Sequence, residues 1–262
     1  MYKEWIDEYK IVNENAINSG WFVSPLEYFW PDGAELFGKI FAKPISSNDS
    51  FDRVVAQVLF KNSLNIHFRA QMMVLGYMKQ STAKSMGLEI ENGLISLYKL
   101  DYPSAISQWM YLIEGYTRKL FKIKSTKSLD RKNEWKIPKT DNSELNILID
   151  CLSNSLKIFL LSVLFKPSNT TTNDSINRHV LLHGNAENKK IFSQKNCLIL
   201  MFCLDALLVI EMIENGVFPA IFKTDEEDER KISQREHLYS QTMSSVFEDV
   251  NLLKYETLNE HN

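Results

Sequence analysis

Residues 198–210 read Leu198-Ile199-Leu200-Met201-Phe202-Cys203-Leu204-Asp205-Ala206-Leu207-Leu208-Val209-Ile210, twelve apolar positions in thirteen, broken only by Asp205. The run has neither the alternation of a half-exposed strand nor the one-sided stripe of a surface helix. With its flanks, over residues 191–213, it reads as a helix buried nearly all round. Asn215-Gly216 and then Pro219 stop it. A helix buried on every side needs other elements packed around it. The chain holds only 9 Gly and 7 Pro in 262 residues, too few for the frequent turns of an all-β fold. The expected class is therefore all-α. Asp205 is the exception inside the run. A lone buried carboxylate is costly and needs a partner or water, and packing of consecutive helices nominates Arg178 or His179.

Working outward, residues 143–165 form a second helix that is apolar on most sides and ends before Pro167. A polar loop, 168–175, follows. Then comes Asn177-Arg178-His179-Val180-Leu181-Leu182-His183-Gly184. Arginine carries a permanent planar charge that matches phosphate oxygens. Histidine takes and returns protons near neutral pH. Together, without a carboxylate cluster, they suit metal-independent chemistry on a phosphodiester. Arg178 and His183 form an R-x4-H pattern. Residues five apart on a regular helix point about 140° away from each other. The two converge only if the helix breaks or if two copies meet across a two-fold axis. His179 and His183 are four apart, which is also zinc-ligand spacing, with Glu187 as the nearby further ligand. Position 180 is Val180, so the glutamate of an H-E-x-x-H site is missing.

Pro103 opens a helix whose apolar stripe runs through Ile106, Trp109, Met110, Ile113, Tyr116 and Leu120, preceded by a short helix over residues 91–100. Glu114 lies beside that stripe. It has two open readings: an ordinary pair with Arg118 one turn on, or a carboxylate pointing at the functional site. Residues 122–139 are a basic connection and the natural place for phosphate contacts, with Lys124, Lys127, Arg131 and Lys132 as candidate RNA-binding residues. In the N-terminal third, Ser24-Pro25-Leu26-Glu27 has the pattern of a capping box, and Asp32-Gly33-Ala34-Glu35 repeats it. The aromatics Trp21, Phe22, Tyr28, Phe29, Trp30, Phe37 and Phe41 are expected to fill a core. Polar residues 81–86 and Gly87 suggest a helix end and a boundary. The expected organisation is an N-terminal helical region (1–86), a four- or five-helix bundle (87–221), and an acidic linker with a C-terminal helix (222–262). The run Asp225-Glu226-Glu227-Asp228-Glu229 reads as solvent-exposed.

The net charge of −3 excludes a strongly basic, charge-driven nucleic-acid binder. Cys151, Cys197 and Cys203 sit in apolar segments without a C-x-x-C pair, as reduced buried thiols of a cytoplasmic protein would. Lys3, Glu4, Asp7 and Glu8 argue against a signal peptide. Asp205 interrupts the most apolar stretch, so no membrane span is expected.

Residues 177–184, with Asn196 and Asp205 in the following apolar helix and Tyr111-Leu112-Ile113-Glu114-Gly115-Tyr116 before them, resemble the HEPN superfamily over roughly residues 91–216. That resemblance implies a helical bundle and a metal-independent endoribonuclease of prokaryotic toxin–antitoxin or anti-phage systems. It places the family's arginine on Arg178, its histidine on His183 and its variable polar position on His179. Asn177, Asp205 and Glu114 would support them. It also implies RNA as substrate, a homodimer with a composite site, an antitoxin or defence partner, and neither metal nor cofactor. One branch of the family carries a modified tyrosine two residues after the histidine, where this chain has Asn185. A non-catalytic helical interaction module is the alternative.

Overall fold

The computed structural model describes residues 2–29, 32–45, 49–124, 129, 135–166, 176–178, 191–217 and 224–259, with backbone only at 2, 3, 49 and 247–259. Among the described residues there are eleven α-helices and no strand. They are α1 (Tyr2–Asn18), α2 (Pro25–Tyr28), α3 (Gly33–Ile40), α4 (Asp49–Ser63), α5 (Ile66–Gln71), α6 (Ser81–Lys84), α7 (Gly87–Tyr98), α8 (Tyr102–Leu120), α9 (Ser143–Phe159), α10 (Gln194–Glu214) and α11 (Glu226–Asn259). Two of them widen at their ends: α5 runs into a π-helix at Met72–Tyr77, and α9 into another at Leu160–Leu164.

The long apolar run is α10. Every residue from Asn196 to Ile213 is buried. α8, α9, α4 and α2 lie against it, which explains why no polar face was visible in its sequence. Ser193 caps its start by accepting from the Asn196 amide at 3.3 Å. By length and composition, α10 and residues 143–164 could each cross a membrane, which corrects the expectation that no stretch approaches span length. The apolarity of α10 is accounted for by its complete burial inside this protein.

α7 and α8 form the tightest pair. Asp101 caps α8 through the Ser104 amide, with Pro103 in the first turn. The two helices approach so closely that a Cβ on Gly93 would stand 2.1 Å from Trp109 Nε1. That indole N–H donates to the Ile90 carbonyl at 3.2 Å.

Several expectations need correction. Gly87 opens α7 rather than ending a helix, and residues 81–84 are themselves helical. The reason is Glu211 of α10, whose carboxylate accepts from the Thr82 and Ala83 amides at 2.6 and 3.1 Å and so satisfies the start of α6. Among the described residues one hydrophobic cluster runs from Ile6 to Tyr239, with members on both sides of residues 86–87. Ser24 does cap α2, but the Glu27 side chain turns inward instead of closing a capping box. Asp32 takes a left-handed conformation, φ 68°, without a side-chain cap. The acidic run is the first turn of α11, where carboxylates suit the positive end of the helix dipole. Asp228 within it is buried and pairs with Lys79. Farther along α11, Arg235 makes a two-pronged pair with Glu91 of α7, at 2.7 and 3.2 Å, and Tyr239 donates to the same carboxylate at 2.8 Å. Of the expected core aromatics, Trp21, Phe22, Tyr28, Phe37 and Phe41 are buried, Phe29 is half-buried, and Trp30 lies outside the described residues.

Gly93→Ala is expected to lower the melting temperature by several degrees, since the new methyl meets a fused ring held by its own hydrogen bond. A thermal melt followed by circular dichroism reads it. An unchanged melt would mean that α7 and α8 can separate freely.

Candidate functional site

Only part of the 177–184 motif lies among the described residues: Asn177 and Arg178 do, while His179 and His183 do not. Asn177 is buried and ties the chain to the end of the preceding helix. Its side-chain amide donates to the carbonyls of Lys166 at 2.7 Å and Val163 at 3.4 Å. These are helix-end acceptors that need a donor. Asn177 is thus a structural anchor immediately before the arginine.

Arg178 reaches across to α8. Its Nε lies 2.7 Å from Oε2 of Glu114. The other carboxylate oxygen, Oε1, accepts from Arg118 Nε and Nη2 at 3.1 and 2.9 Å. The ordinary pair with Arg118 is present, and the same carboxylate also reaches Arg178, so it bridges two guanidiniums. Arg118 further donates to the Lys124 carbonyl at 3.3 Å, which ties the start of the basic connection to the same spot. The side chains of Arg178, Arg118 and Glu114 are 32, 21 and 18% exposed. They are partly exposed, and the Glu114 carboxylate holds both guanidiniums in place. The Lys124 side chain is exposed, and Lys127, Arg131 and Lys132 lie outside the described residues.

Asp205 does not belong to this group, which corrects the expected partner. It lies in the centre of α10, fully buried, with the N-terminal helices around it. Arg69 of α5 donates to both its oxygens through Nη1, at 3.0 and 2.9 Å. Tyr77 donates at 2.8 Å and Ser24 at 3.4 Å. The other arm of Arg69 pairs with Glu27, which also accepts from Ser63. Burial works against the Arg69 charge, but Asp205 and Glu27 outweigh it and hold its pKa above the ordinary value. Burial, and then the negative Asp205 beside it, push the Tyr77 hydroxyl well up. Burial pushes Glu27 up to about 7, against the pull of Arg69. Another buried carboxylate, Glu211, accepts from Tyr116 at 2.6 Å as well as capping α6.

From the sequence, Glu27 is assigned only a capping role and Arg69 and Tyr77 none, although a signal exists. Each of Glu27, Arg69 and Asp205 is a single charge in an apolar or aromatic run, and such charges of opposite sign seek each other. Among the described residues no group of three or more His, Cys, Asp or Glu could hold a metal ion. The three cysteines are buried and free. No family model, curated protein or solved structure matches the chain.

Asp205→Ala leaves Arg69 with half its buried counter-charge. The expected loss of unfolding free energy is about 3–5 kcal/mol, measured by urea denaturation. A loss under about 1 kcal/mol would mean that the network is open to water.

Proposed function

We propose that the chain is a metal-independent endoribonuclease of the HEPN type, acting in the cytoplasm as a homodimer within a prokaryotic toxin–antitoxin or anti-phage system. The observation that carries the reading is the Glu114 bridge, which holds Arg178 beside Arg118 at a partly exposed place. A guanidinium already fixed by a carboxylate loses less side-chain freedom when it meets a phosphate. The proposed step is attack of the ribose 2′-oxygen on phosphorus with cleavage of the bond to the 5′-oxygen. One of His179 and His183 takes the 2′-hydroxyl proton and the other protonates the departing 5′-oxygen. Arg178 stabilises the charge on the non-bridging oxygens. The products are a 2′,3′-cyclic phosphate and a 5′-hydroxyl. The partner protein, in this reading, is an antitoxin or a component of the same system.

The decisive experiment is incubation of the full chain with single-stranded RNA in excess chelator. Cleavage with cyclic phosphate ends is expected, falling at least about a hundredfold in Arg178→Ala and His183→Ala. Glu114→Gln should cut activity with little change in stability, because a partly exposed pair contributes about 1 kcal/mol or less. Cleavage lost in chelator and restored by metal would overturn the mechanism. RNA binding without cleavage would leave a non-catalytic interaction module.

Neutralising Lys124, Lys127, Arg131 and Lys132 together is expected to weaken RNA binding and to flatten its dependence on salt. Titrations by fluorescence anisotropy over a range of salt concentrations read the slope. An unchanged slope would remove the basic connection from the RNA path.

A further inference from the structure

The buried charge network borders a pocket. It lies between α2, the start of α3 and α5 and measures about 480 Å³. Glu27 forms its buried wall, and Asp32 stands exposed among its lining residues. Leu36 and Phe68 supply apolar surface, and the side-chain amides of Asn62 and Gln71 complete the rim. Gly33 makes the arrangement possible. A Cβ there would lie 1.8 Å from the Glu27 carbonyl oxygen, so only glycine lets the α3 start fold back over Glu27.

We propose that this pocket binds a small aliphatic diamine, with one ammonium on Glu27, the methylene chain on Leu36 and Phe68, and the second ammonium on Asp32. The charge balance favours a cation. Among the described residues Arg69 is the one cation paired with the two carboxylates Asp205 and Glu27, which leaves one negative charge in excess there when both are ionised. An ionised carboxylate offers about four acceptor positions. Among the described residues Glu27 uses one oxygen for Arg69 and the other for Ser63, so acceptor capacity remains. The raised pKa of Glu27, about 7, agrees: below neutral pH a proton fills the place, and an ammonium must displace it. Arg69, Asp205 and Ser63 face Glu27 from α5, α10 and α4, while His67 on the rim is paired with Glu236 of α11. The apolar wall and the second carboxylate distinguish a diamine from a bare alkali ion.

The test is isothermal titration of the full chain with 1,4-diaminobutane, with 1,4-butanediol as the neutral control. Saturable one-to-one binding is expected for the diamine and none for the diol. Because the Glu27 proton must leave, affinity should rise about tenfold per pH unit below neutrality and level off above it. Repeating the titration near pH 6 in buffers of different ionisation enthalpy should show about one proton released. Glu27→Gln, which matches the shape of the protonated acid and so preserves the fold, should lose at least tenfold in affinity. Asp32→Asn should lose several-fold, and asparagine tolerates the left-handed backbone there. No saturable heat at millimolar diamine, equal binding of the diol, or undiminished binding by both variants would overturn the proposal. RNA cleavage plays no part in this readout, so its failure and that of the nuclease reading are distinguishable.

Discussion

Arg69 and Asp205 meet in the middle of the protein, and most of the architecture is arranged so that they can. Each ion costs several kcal/mol to take out of water, and close pairing with further hydrogen bonds is what offsets that cost. Arg69 Nη1 lies within 3.0 Å of both Asp205 oxygens, while Tyr77 and Ser24 donate to the same carboxylate. Those four residues come from α10, α5 with its π-helix, and the cap of α2. The network therefore pins the N-terminal helices to the central one at a defined register. A hydrophobic face would tolerate sliding by a turn, but this one does not, because a slip would strand a buried charge. The π-helix Met72–Tyr77 follows Arg69 on the same element. It sets the rotation by which Tyr77 also reaches Asp205.

The same residue types carry a different meaning around Glu114. There the ions are partly exposed, and water screens their attraction. Such a pair adds little to stability, yet it orients the Arg178 guanidinium. Asn177, anchored one residue earlier, limits where the arginine can start from. One arginine–carboxylate group is a structural keystone and the other is a positioned surface charge, and depth makes the difference.

Polar clamps also organise the periphery. Glu211 serves the start of α6, and Glu91 holds α11 through Arg235 and Tyr239. In each case a carboxylate on one helix accepts from two or more donors on another. A two-pronged arginine pair adds direction where an apolar contact would not.

The all-α class, the central position of α10 and the burial of Trp21, Phe22, Tyr28, Phe37 and Phe41 were legible in the sequence, because apolar periodicity and the scarcity of turn residues are local properties. Ser24 and Pro103 likewise announced their helix starts. The pairing of Glu114 with Arg118 was legible from their four-residue spacing, whereas its contact with Arg178 was not, because that contact joins elements distant in sequence. The partner of Asp205 was not legible. Sequential proximity favoured Arg178 and His179, yet Arg69 lies 136 positions away. A buried charge selects its counter-ion by position in space, and only the packing of α5 and α2 onto α10 decides which one that is. The acidic start of α11 shows the same limit: composition marks it as polar, whereas the placement of Lys79 determines that Asp228 is buried.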